Sequence, residues 1–272
     1  MADSYYEGFR PDPRPTDELI RAALGAEGWE QYSWTLQILQ YRGSEEVFEI
    51  AREMCFSDIE DERVLGADIL GQIGTPGRFH PEESIKILLS MLDDKCSEVI
   101  RSAAVSLGFH EAPDAIVPVV ALKNHPDPLV RKDIVHALSQ QYYYDNDSSI
   151  GARIALTSDS DRDVREEATA SLTYLDPKRT DVGEILHRRL DDEDGEIRAD
   201  ALLGIACRKE SDAVDLLIAE LSRGLDENEV WDDALDAAGT LADPKLLPIL
   251  LQLKEAGFES CWLDGAIEDC GG

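Results

Sequence analysis

Long apolar runs are what this chain most conspicuously lacks: no uninterrupted stretch of about 18 such residues occurs, so no segment reads as a membrane-spanning helix. The opening residues, MADSYYEGFRPDPRP, show no basic region leading into an apolar one, and no secretory leader is read there. Basic residues are scarce as well, 26 Lys and Arg against 57 Asp and Glu, for a net charge of −31. A field of that sign repels phosphate backbones and anionic head groups and speeds encounter with basic partners. It argues against nucleic acid and membrane surfaces as partners, and for a basic protein. Cysteine is sparse and odd in number: Cys55, Cys96, Cys207, Cys261 and Cys270 are scattered without a CxxC pair. That pattern argues against a disulfide framework or a cysteine-held metal and reads as reduced thiols in a cytoplasmic protein. Catalytic motifs are missing too, with five histidines and no GxSxG, HExxH or GxxxxGK. Carboxylates are so abundant that no acid and base pair stands out, so no catalytic residue, metal or cofactor is assigned. Hydrophobic residues still supply 43% of the chain, enough for a core, so the acidity does not imply disorder.

What the chain does contain is a repeat. In DRDVREEATASL, Asp161 to Leu172, an acidic turn precedes Val164, which is followed by Arg at +1, Ala at +4 and Leu at +8. The same frame fits Val130, Arg131, Ile134 and Leu138, and again Ile197, Arg198, Ala201 and Ile205. It fits more loosely from Glu62, Val99 and Val230, so that successive anchors stand 37, 31, 34, 33 and 33 residues apart. A period in that range carried by amphipathic helices predicts an α-solenoid of helix pairs. Outer helices are expected at about 44–57, 81–92, 113–123, 147–157, 181–190, 211–223 and 244–256, each followed by an inner one. Gly74, Pro76, Gly77 and Pro81 make the longer linker behind the spacing of 37.

The acidic turn, the hydrophobe at 0, Arg at +1, the small residue at +4 and the Leu-Gly pair at +8 and +9 resemble HEAT repeats of the short bacterial type, found in phycobilin lyases and many other proteins. The resemblance covers nearly the whole chain. It implies an all-α, right-handed α-α superhelix of about eight helix pairs, a single array over residues 1–272. Within it, 1–15 is a Pro-rich and aromatic lead, 16–74 degenerate repeats, 81–240 the central repeats and 244–272 a C-terminal cap. The class includes lyases, DNA glycosylases, an iron hydroxylase, scaffolds and inhibitors, so the repeat does not transmit a function. The hydroxylase reading needs several His-Glu pairs where this chain has one, His110 and Glu111. The glycosylase reading needs a basic surface, the reverse of this composition. A chromophore-attaching lyase or chaperone stays open as an analogy.

Three groups of residues are candidates for function. Arg63, Arg131, Arg165 and Arg198 share one repeat position and read as a structural ladder, each reaching the turn of its own or a neighbouring unit, while Asp127, Asp161 and Asp194 cap helix starts. At +3, beside the core stripe, stand Asp133, Glu167, Asp200 and Asp233, with Asp68, His136 and Asp236 at +6. Stacked inner helices would turn these into an acidic stripe, serving either solubility or recognition. The turns SDIEDE, SDSDRD, DDEDGE and DENE add further acids, although neither SDSDRD nor DDEDGE has the EF-hand ligand spacing. The third group is Tyr142, Tyr143 and Tyr144, in a loop that breaks the rhythm; these rings either pack at the junction or serve as interface anchors. Trp231, where other units carry Arg, is either an anchor or part of the C-terminal cap. The expected function is non-catalytic binding of a basic protein, in its sharper form an inhibitor or immunity-type protein for a basic effector such as a nuclease toxin. The alternatives are the lyase-like role and a scaffold.

Overall fold

The computed structural model describes residues 12–75, 77–140, 143 and 145–272, and among them every regular element is helical. Sixteen α-helices follow in order. They are α1 Thr16–Leu24, α2 Trp29–Arg42, α3 Glu45–Met54, α4 Glu60–Gln72, α5 Pro81–Met91, α6 Ser97–Gly108, α7 Ile116–Ala121 and α8 Pro128–Leu138. The second eight are α9 Asp147–Leu156, α10 Arg162–Ala170, α11 Thr180–Arg189, α12 Gly195–Cys207, α13 Ala213–Glu227, α14 Asp232–Leu241, α15 Leu247–Glu255 and α16 Cys261–Asp269. Each odd-numbered helix packs on the next even-numbered one, which makes eight pairs, four in each of two compact units, residues 1–144 and 145–272. Within each unit the even-numbered helices also pack on one another in sequence, so they are the inner row. No helix among the described residues is long and apolar enough to cross a membrane.

The repeat frame explains the packing. Val99, Ala103 and Leu107 on α6, Val130, Ile134 and Leu138 on α8, Val164 and Ala168 on α10 with Leu172 just beyond it, and Ile197, Ala201 and Ile205 on α12 are all fully buried. Each large aliphatic among them contributes about 1.5–3 kcal/mol by leaving water. The glycine at +9 has a packing reason: a Cβ on Gly71 would stand 2.6 Å from Ser106 Oγ, and one on Gly108 would stand 2.9 Å from the Ala137 carbonyl oxygen. Neighbouring inner helices approach too closely there for a side chain.

Helix starts follow the acidic turns. Asp127 Oδ1 accepts the Leu129 N–H, Asp161 Oδ1 those of Asp163 and Val164, and Asp194 Oδ1 that of Glu196. A second acid in the turn closes the chain before the cap, Asp94 on the Cys96 N–H, Asp159 on Asp161 and Asp192 on Asp194. Part of the turn acidity is therefore structural, beyond the single cap the sequence accounts for.

The seventh helix pair, α13 with α14, departs from the frame. Asp226 and Glu227 belong to α13 rather than to a turn, and Val230 lies before α14 instead of inside it. Leu217 and Leu221 keep α13 on the core until Asn228, at φ 58°, ends it in the left-handed conformation. Of the N-terminal lead, residues 1–11 fall outside the described residues, as does Pro76. Residues 12–14 are tied down by Arg42, which donates to the Asp12 and Arg14 carbonyls.

Candidate protein-binding face

The four ladder arginines occupy equivalent places. Arg63 donates to the Ser57 carbonyl of its own turn and, through Nε and Nη2, to both carboxylate oxygens of Asp94 in the next, at 2.9 and 3.0 Å. Arg165 does the same with the Asp159 carbonyl and Asp192, and Arg198 with the Asp192 and Glu193 carbonyls and Glu220 on α13. Arg131 donates to the His125 and Pro126 carbonyls. Arg63 and Arg198 are buried, and all four guanidiniums donate to backbone carbonyls of their own turns.

The carboxylates at +3 fare differently from one another. In the first unit Asp133 is held by Arg101 Nε at 2.6 Å. In the second unit Glu167 on α10, Asp233 and Asp236 on α14 are half-buried, whereas Asp200 on α12 is only 7% exposed. Burial, then the charges of Asp233, Glu166 and Glu196, push the Asp200 carboxyl up to about 8, so it is mostly protonated at neutral pH. Asp200 thus corrects the expectation of a surface charge at every +3 position: α12 packs between α10 and α14, and its third frame residue is covered. Asp233 is raised too, by burial and by Asp236, Glu196 and Asp232. From α10 the carboxylate acting on Asp200 is Glu166, one residue before the one the frame selects. Arg162 offsets part of this charge, bonding Asp194 at 2.9 Å and also Glu196 and Glu166.

The tyrosine expectation also needs correction. Tyr143 is 1% exposed, and its hydroxyl donates to the Leu107 and Ala112 carbonyls, so it is a core residue closing the junction after α8. Tyr142 and Tyr144 lie outside the described residues. Tyr174 is the most exposed tyrosine among the described residues, 70% accessible just beyond α10, where partial burial and the nearby Cys207, Asp236 and Asp233 raise its phenol. The sequence signal for it was an aromatic beyond the +8 position that the core stripe does not use. Trp231 is half-buried, packs against the core of its unit and covers Gly195 at the start of α12.

The +6 residues Asp68 and His136 line a groove of about 320 Å³ in the first unit together with Trp29, itself 76% exposed. There Asp68 accepts from Tyr32 and Ser102, and burial raises its carboxyl. His110, the lone His-Glu histidine, is buried beside the Leu70 carbonyl, and burial lowers it to about 4. For a metal, the described residues bring together one mixed set, His187, Glu210 and Asp212.

Known proteins place this architecture. The sequence profile described as HEAT repeats matches residues 63–139 and 85–173. Protein YibA of Escherichia coli (strain K12) is 28% identical over 242 residues, covering 86% of this chain and 83% of YibA. The X-ray structure of Escherichia coli YibA superposes with a TM-score of 0.71 at 26% identity, covering 94% of this chain and 92% of that one. Kap95p, from its complex with RanGDP, gives a TM-score of 0.63 at 16% identity over 92% of this chain and 39% of its own length, a likeness of fold alone. The profile match, the YibA similarity and the helix pairs of each unit agree: residues 63–173 carry HEAT repeats, and the chain has the all-helical fold of HEAT-repeat proteins.

Proposed function

We propose that the chain is a non-catalytic protein-binding module that uses the acidic inner face of its second unit to hold a basic segment of a partner protein. The observation that carries this reading is the electrostatic state of α12 and α14. Burial and the charges of Asp233, Glu166 and Glu196 raise Asp200, and burial and the charges of Asp236, Glu196 and Asp232 raise Asp233, so the carboxylates that stay ionised around α12 and α14 repel one another. A lysine or arginine placed over Asp233 and Asp236 would relieve that repulsion, and Tyr174 offers a large, stiff contact surface beside them. In its finer form the module is an inhibitor that covers the nucleic-acid surface of a basic effector.

The test is capture of binding proteins by the purified chain at low and at moderate salt, beside the triple variant Glu167→Gln, Asp233→Asn, Asp236→Asn. A basic protein retained by the parent chain, weakened by salt and bound about tenfold more weakly by the variant fits three partly exposed ion pairs of up to about 1 kcal/mol each. An enzymatic assay of that protein then decides between inhibitor and scaffold. Equal retention by both chains removes the acidic face from the account.

A further inference from the structure

A cleft of about 660 Å³ opens in the second unit where α11 meets the turn between α12 and α13, lined by Pro177, Thr180, Gly183, His187, Arg208 and Glu210 among others. At this cleft three side chains meet from two stretches of chain: His187 from the last turn of α11, and Glu210 with the adjoining Asp212 from the turn before α13. Each brings one ligand-type atom within 4.8 Å of the other two.

Hydrogen bonds fix how these groups present themselves. His187 Nδ1 lies 3.0 Å from the Gly183 carbonyl oxygen, a contact that places a proton on Nδ1. In the neutral ring Nε2 then carries the lone pair, and it faces Asp212 Oδ2 at 3.3 Å, acceptor against acceptor. Glu210 Oε2 lies 3.6 Å from Nδ1, and a Glu210 carboxylate oxygen stays within 4.8 Å of the ligand atoms of His187 and Asp212. The second Glu210 oxygen, Oε1, accepts from Arg208 Nε at 2.9 Å, and Arg208 also donates to the Asp176, Pro177 and Arg179 carbonyls. A histidine N–H on a backbone carbonyl and a carboxylate oriented by a fixed cation are the outer contacts that orient ligands at metal sites. The 3.3 Å separation also matches two tetrahedral ligands each about 2.0 Å from a zinc ion, which stand about 3.3 Å apart.

We propose that this cleft binds a divalent cation of the zinc class through His187, Asp212 and Glu210. Three protein ligands leave a fourth tetrahedral position open to the cleft, for water or for a group on a bound partner. The competing occupant is a proton on Nε2, which would make His187 an imidazolium held between two carboxylates.

The experiment titrates Zn²⁺ alone into the full chain at neutral pH, reading heat by calorimetry and the imidazole ¹⁵N shifts of His187 by NMR. The expected result is saturable binding that moves the His187 Nε2 signal and stops it responding to pH. His187→Gln and Asp212→Asn, at positions that are not buried, should each weaken the affinity about tenfold or more while circular dichroism stays unchanged. Zinc binding that leaves the His187 signal in place, or that survives His187→Gln, places the ion on the thiols or surface carboxylates and overturns the proposal. So does a His187 that still titrates as an imidazolium under excess zinc.

Discussion

Asp200 sits among carboxylates with Oδ2 free of any hydrogen bond among the described residues, and its value near 8 has a consequence for stability. An unfolded aspartic acid titrates near 4, so the folded form binds the proton more tightly. Stability from this group is full below about pH 4 and is lost as pH rises through about 8. Asp200→Asn keeps the neutral shape, so thermal melts should show the variant more stable by about 1–3 kcal/mol at pH 8.5 and close to the parent at pH 4. A difference independent of pH would mean that Asp200 binds its proton equally well in the folded and the unfolded chain. Tyr143 gives a second residue-scale expectation. Tyr143→Phe removes the donor serving two buried carbonyls, and urea denaturation should show a loss of about 1–3 kcal/mol. The sequence made the break at Tyr142 to Tyr144 plain but not which ring turns inward, because that depends on where the carbonyls of Leu107 and Ala112 end up.

At the scale of elements, the stripe of Val130, Ile134 and Leu138 and its equivalents marks the inner helices directly, since one face repeating every 3.6 residues must be buried. The closing of α13 was not legible: Asp226 and Glu227 read as a turn, yet Leu221 and Leu225 carry the helix past them. The acidic face was legible only in part, since Glu166 and Glu167 differ by one residue and neighbouring helices select between them. His187, Glu210 and Asp212 meet only through the packing of α11 against the turn after α12. The close approach of inner helices gives a test at this scale. Gly108→Ala would press a methyl against the Ala137 carbonyl at 2.9 Å, and chemical denaturation should show destabilisation of about 1–3 kcal/mol. An unchanged midpoint would show that α6 and α8 separate at no cost.

For the molecule as a whole, a net charge of −31 means that like charges outnumber the ion pairs that knit the turns. Raising salt from about 0.01 M to about 0.1 M shortens the screening length from about 30 to about 10 Å. The melting temperature of the full chain should therefore rise with salt, because long-range repulsion is screened more than the buried pairs of Arg63 and Arg198. A fall would show that surface pairs such as Arg101 with Glu98 dominate.

Those arginines also bear on how such a chain changes length over generations. Each joins its own turn to the unit immediately after it, as Arg63 does with Asp94 and Arg165 with Asp192, and makes no demand on units farther away. A duplicated or deleted repeat therefore arrives or leaves with its charges already matched at both joints, whereas a gain or loss of a few residues inside a unit strands a buried guanidinium. Gene copies differing by whole repeats should be tolerated where smaller insertions within a unit are not.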